Sequence, residues 1–131
     1  MNRLPESGGI LLQKAREDGQ MVQSLLDAGS APWGPAFHAQ QSVEKAIKAV
    51  LACHGIVFPY SHDIELLIAL LREHRLPLPP DADELPRLSP FGILSRYSGA
   101  LGADHPVPDR QWLLDAVRRT LDWAEDAKGS K

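Results

Sequence analysis

Gln41, Glu44, Lys45 and Lys48 stand within two helical turns of one another, and with His62-Asp63 and Arg96-Tyr97 they are the side chains through which this chain could bind an anion or move a proton. Arg96 has a planar fork that fits carboxylate and phosphate alike, so it serves either a phosphate or an acid such as Glu44 or Asp63. Lys45 and Lys48 read either as a solvated face or as a phosphate site. Tyr97 is either a core residue with its hydroxyl satisfied or a stacking or catalytic group. His62 is either a turn residue or a base. Other chemistries find little footing. The five histidines, His38, His54, His62, His74 and His105, make no i, i+4 pair, so no metal site is expected. There is no Gly-rich phosphate loop and no His-Glu-x-x-His, and neither a serine nor the single cysteine, Cys53, sits in a recognisable nucleophile setting. No cofactor is expected.

The element that must position these groups runs from Pro35 to His62, with its core at Phe37 to His54. Placed about 100° apart, Ala36, Ala39, Val43, Ala46, Ile47, Val50 and Leu51 share one face, while Gln41, Lys45 and Lys48 lie opposite. Gln40 and Glu44 sit at the edge of the apolar stripe, where a polar group needs a partner. Gly55 is the expected stop. Ahead of it, Met1 to Gly8 reads as a lead-in and Gly9 to Ala28 as a helix with Leu11, Ala15, Val22, Leu25 and Leu26 on one face. Asp18 interrupts that face; it and Gln40 are expected to mark a helix–helix or dimer seam. Beyond Gly55, Ser61 is the expected cap of a third helix with Asp63 in its first turn. Ile64 to Leu71 is apolar on more than one side, which predicts deep packing. Leu76 to Pro80 is too proline-rich for helix interior, and Asp81 to Leu88 is polar and broken by Pro86. A short helix is expected from Ser89 or Pro90 through Tyr97, with Ser89 as cap, then a Gly/Pro-rich loop over Ser98 to Pro108. A last helix begins at about Asp109, with Trp112, Leu113, Ala116, Val117, Thr120 and Ala124 facing inward. The pattern predicts an all-α, up-and-down bundle of four long helices and one short helix.

At 131 residues and 44% hydrophobic content, the chain suits one domain, residues 1–131, with a core that needs neither disulfide nor metal. Its net charge of −3 argues against a dedicated duplex-DNA binder. No apolar run approaches a membrane span and no signal-peptide pattern opens the chain, so no membrane association and a cytoplasmic location are expected.

Three blocks of residues carry a resemblance. Ala36-Phe37-His38-Ala39-Gln40-Gln41-Ser42-Val43-Glu44-Lys45-Ala46-Ile47-Lys48-Ala49 resembles the signature of the HEPN domain (higher eukaryotes and prokaryotes nucleotide-binding). Ser61-His62-Asp63 before a leucine-rich helix resembles its second block, and Ser95-Arg96-Tyr97 its third, in the right order over about residues 9 to 126. The resemblance implies a homodimeric bundle of four or five helices, paired with a minimal nucleotidyltransferase, as in toxin–antitoxin-like systems, and a polar cleft that binds a nucleotide or nucleic-acid phosphate through Gln41, Glu44, Lys45, Lys48, Asp63 and Arg96. Some members of the wider superfamily are metal-independent ribonucleases, which implies an alternative in which Arg96 acts with Tyr97, His62 or His105. Those ribonucleases carry Arg-x(4–6)-His. Here eight residues separate Arg96 from His105, and no other arginine has a histidine at the required spacing. In either reading Glu44, His62, Asp63 and Arg96 are expected to converge.

Overall fold

The computed structural model of the chain describes residues 5–93 and 106–129. Arg96, Tyr97 and His105 lie outside the described residues, as does most of the expected loop over Ser98 to Pro108. The fold is an all-α bundle. Its elements are α1 (Pro5–Asp27), α2 (Trp33–Cys53), α3 (Ile64–Glu73), a 3-10 turn (Leu85–Leu88) running directly into α4 (Ser89–Ile93), and α5 (Arg110–Ala127).

α2 is the axis of the bundle, packing against every other described element. Its expected face, Ala36, Ala39, Val43, Ala46, Ile47, Val50 and Leu51, is fully buried. Alanine recurs along it because neighbouring helices come close on several sides at once. Lys48, which the helical wheel places opposite the core, is buried as well, with the centroid of the Phe58 ring, in the connection to α3, 5.6 Å from its Nζ.

α1 begins four residues earlier than Gly9, so residues 5 to 8 are helix and not lead-in. Proline at a first helical position forfeits only an N–H that would have no partner there. Gly8 serves packing: a Cβ at that position would stand 2.4 Å from the Cys53 Sγ and 3.0 Å from the Ala49 carbonyl oxygen. α1 contributes Leu12, Ala15 and Val22 to the core, with Leu11 and Leu26 partly buried against it. Ser42 ties the two helices by donating its hydroxyl to the Ala15 carbonyl at 2.8 Å.

The helix ends are made locally. α2 stops at Gly55, whose φ of 73° lets Gly55 N–H reach the Ala52 carbonyl and Ile56 N–H the Leu51 carbonyl, at 3.0 and 2.9 Å. The α1 terminus repeats this at Gly29, and the α3 terminus repeats it at Arg75, a non-glycine held at φ 57°. Asp109 caps α5 as expected, accepting from the Trp112 N–H at 2.8 Å. α3 departs from expectation. Its cap is Asp63, which accepts from the N–H groups of Glu65 and Leu66, while the Ser61 hydroxyl accepts from Asp63 N–H one step upstream. Ser89 does not cap its own helix; its hydroxyl accepts from Ile64 N–H at 3.2 Å and so pins α4 to the start of α3.

α3 buries one face, Ile64, Leu67, Ile68 and Leu71, while Leu66 is 40% exposed, so its packing is one-sided. The 81–88 stretch is less polar in effect than in composition, because Leu85 and Leu88 are fully buried and anchor the 3-10 turn. On α5 the inner face is Leu113, Ala116, Val117, Thr120, Trp123, Ala124 and Ala127. Trp112 sits half-buried at its margin, donating its indole N–H to Glu84, and Trp123 donates to the Pro77 carbonyl. No helix among the described residues is long and apolar enough to cross a membrane.

Candidate functional site

One side of α2 carries Gln40, Glu44, Lys48, Gln41, Lys45 and His38 in angular order, with Leu51, Phe37 and Ala52 interspersed among them. Two acid–histidine–lysine clusters form along it. At the α1 edge, Asp18 accepts from His38 Nδ1 at 2.9 Å and from Lys45 Nζ at 2.7 Å. Asp18 therefore marks a helix–helix seam within the chain, and its partners are internal.

The second cluster lies at the α3 edge. Glu44, 4% exposed, accepts from Lys48 Nζ at 2.7 Å, from Gln40 Nε2 at 2.8 Å and from His62 Nδ1 at 3.0 Å. Gln40 is fully buried; its amide also donates to the His62 carbonyl, and its oxygen accepts from Gln41 Nε2. Gly92 of α4 presses on the Gln40 amide so closely that a Cβ there would lie 2.4 Å from it. Lys48 Nζ also stands 5.6 Å from the Phe58 ring centroid. Like Asp18, Gln40 finds its partners inside the chain.

Burial raises the Glu44 pKa, but the hydrogen bonds from Lys48, Gln40 and His62, together with the Lys48 charge, outweigh it and hold the carboxyl below its ordinary range. Glu44 is thus an anion near neutrality and can only accept. His62 must donate Nδ1–H to it, which leaves Nε2 without a hydrogen-bond partner among the described residues, on a side chain that is 41% exposed. A carboxylate that orients an imidazole in this way leaves Nε2 able to take a proton and, once protonated, to donate to an anion.

Of the residues expected to converge, Glu44 and His62 meet, and Gln41 and Lys48 join them through the same network. Lys45 belongs to the Asp18 cluster instead. The Asp63 carboxylate caps α3, accepting from the N–H groups of Glu65 and Leu66, and takes no part in the Glu44 network. Arg96, Tyr97 and His105 lie outside the described residues. Both lysines are ion-paired within the chain, so neither is the free solvated cation that its sequence position suggests. The Asp18–His38 contact was not singled out from sequence, although His38 and Lys45 are seven residues apart and share a helix face. Cys53 is a poor nucleophile, since burial raises its thiol pKa against a weaker opposing pull from Lys128. No group of three or more His, Cys, Asp or Glu suited to a metal occurs among the described residues.

An all-α bundle organised on a polar second helix, with a histidine delivered to it by the turn before α3, defines a class that comparison makes specific. The HEPN domain model matches residues 9–127, and the chain belongs to that family. It is also similar to a protein described as a putative toxin from Methanocaldococcus jannaschii, with 41% identity over 49 residues, covering 37% of this chain and 32% of the relative. The chain thus aligns with about a third of that relative's length. No solved structure matches it.

Proposed function

We propose that this HEPN domain is the toxin-like member of a toxin–antitoxin-like pair: a homodimer that associates with a minimal nucleotidyltransferase and engages a nucleotide or RNA phosphate at the Glu44–His62 cleft. The observation that carries this reading is the buried Glu44. Keeping a carboxylate and an ammonium out of water costs several kcal/mol per ion before their attraction is counted, and a core of similar volume could do without them. What the arrangement provides is an oriented, partly exposed His62 whose Nε2 has no partner among the described residues. The putative-toxin relative supports the toxin half of the proposal. The partner and the dimer rest on family membership.

A second reading is favoured by the same dyad. A carboxylate-held imidazole is the arrangement of a general base, and in a metal-independent endoribonuclease His62 Nε2 would take the proton of an attacking ribose hydroxyl while Arg96 stabilises the charged phosphate, with Tyr97 or His105 assisting.

One set of measurements tests both. The proposal expects the purified chain to carry along the protein encoded beside it, identified by mass spectrometry as a nucleotidyltransferase. It also expects RNA or nucleotide binding that His62→Ala weakens while circular dichroism shows the variant still folded at the assay temperature, the loss of the Glu44 hydrogen bond lowering its melting midpoint. EDTA-resistant RNA cleavage, abolished by Arg96→Ala, establishes the second reading. Absence of binding, cleavage and partner together removes both.

A further inference from the structure

The connection from α2 to α3 holds an aromatic side chain that the bundle does not use. Tyr60 is 98% exposed, and Val57 in the same connection is 56% exposed. The segment around them is held at several points. Ile56 and Phe58 pack against the core, and Ile56 N–H bonds the Leu51 carbonyl. Downstream, Ser61 accepts from Asp63 N–H, the His62 carbonyl accepts from Gln40, and the His62 ring is bonded to Glu44. Pro59 restricts the backbone immediately before Tyr60. Tyr60 is therefore a ring presented from a clamped loop, with both faces and its hydroxyl open to water. Its centroid lies 6.2 Å from that of His62, with the planes tilted by 60°, so the imidazole does not cover it.

We infer that Tyr60 is a stacking platform for an unpaired nucleobase of the ligand proposed at His62. The inference rests on the proposed function, which places a phosphate at His62, and specifies what that phosphate is attached to. A flat aromatic face beside the partly exposed His62 imidazole matches a ligand that carries a π-face and an anion a sugar apart. Base–aromatic stacking tolerates any base, and single strands are recognised in this way because their bases can be splayed out. A docked protein fits the patch less well. Val57 and Tyr60 together fall far short of the roughly 800 Å² per partner that a stable protein interface buries. A tyrosine left fully in water on an anchored loop, beside the histidine of a buried charge network, is what the site needs to stack a base.

The test uses the full chain, a fluorescein-labelled ten-nucleotide oligoadenylate followed by anisotropy, and tripolyphosphate as an anion without a base. Wild type is expected to bind the oligonucleotide more tightly than a duplex RNA of equal length. Tyr60→Ala should weaken oligoadenylate binding by about tenfold, Tyr60→Phe should restore it to within about twofold of wild type, and competition by tripolyphosphate should be the same in all three. Because Tyr60 touches little of the fold, circular dichroism should not distinguish the variants. Unchanged oligoadenylate affinity in Tyr60→Ala overturns the inference and leaves the phosphate site standing. So does loss of a co-purifying protein in that variant with RNA affinity intact, which would mark the loop as a protein contact. If wild type binds neither probe, the phosphate site fails and the stacking platform fails with it.

Discussion

Glu44 is buried with three hydrogen-bond donors, and removing its charge while keeping its shape leaves those donors facing a neutral amide. Lys48, itself only 11% exposed at the side chain, then loses the counter-charge that makes its burial tolerable. Glu44→Gln is expected to lower unfolding free energy by about 3 kcal/mol, measured by urea denaturation at neutral pH. The same residue sets a pH dependence. Its folded-state pKa is depressed, so the unfolded chain binds a proton more readily than the native one. The contribution to stability is present above the unfolded carboxylate pKa and is lost as pH falls through the lower, folded value. Titrated downward in acid, wild type should converge on Glu44→Gln; a gap that stays constant through that range would show that the charge is not what stabilises the cluster. The Asp18 cluster has the same composition, one acid with one histidine and one lysine, but it joins α1 to α2 and shares no hydrogen bond with Glu44 or His62.

The turn before α3 performs two tasks at the scale of an element. It caps the helix and delivers His62 to Glu44, and it divides these between adjacent residues. Because Asp63 holds two first-turn N–H groups while Ser61 holds only the Asp63 N–H, the two substitutions should differ. Asp63→Ala is expected to cost about 1 kcal/mol, and Ser61→Ala to stay within roughly 0.5 kcal/mol of wild type. Thermal melts of the pair check this, and equal losses would assign the cap wrongly. Ser89 adds a third strut, since its bond to Ile64 N–H makes α4 part of the same support. Gly92 then places α4 directly against Gln40, so the short helix braces the amide that holds Glu44.

For the whole molecule, α2 is the element that cannot be altered without losing the fold. Ile47 is fully buried at its centre, and Ile47→Asp should unfold the domain or leave it molten, since a carboxylate would be stranded without a cation. A helical variant with an unchanged melting midpoint would show that α2 tolerates water on that side. Oligomeric state is decided at the same scale. Asp18 and Gln40 are satisfied inside one chain and ask for no second copy. The dimer proposed from family membership therefore has to be formed by other surfaces, and sedimentation at micromolar concentration is expected to give twice the chain mass. A monomer mass would remove any mechanism that needs a shared cleft.

What the sequence determined by itself is the part of the fold governed by neighbours along the chain. The buried face of α2 follows from its apolar spacing, the ends of α1 and α2 from Gly29 and Gly55, and the start of α5 from Asp109, because a helix turn or cap is complete within a few residues. The Glu44–Gln40 edge was legible too, as a polar misfit requiring partners. The identity of those partners was a tertiary matter. Lys48 reads as solvated on a wheel and is buried, with the Phe58 ring of the connection to α3 beside its Nζ. Gly8 reads as the end of a lead-in and is helical, packed against Cys53 and the Ala49 carbonyl of α2. Lys45 chose Asp18, and His62 chose Glu44, at 27 and 18 residues' separation, where no local rule reaches. Burial and charge pairing depend on what the chain brings from a distance, and that is settled only when the helices pack.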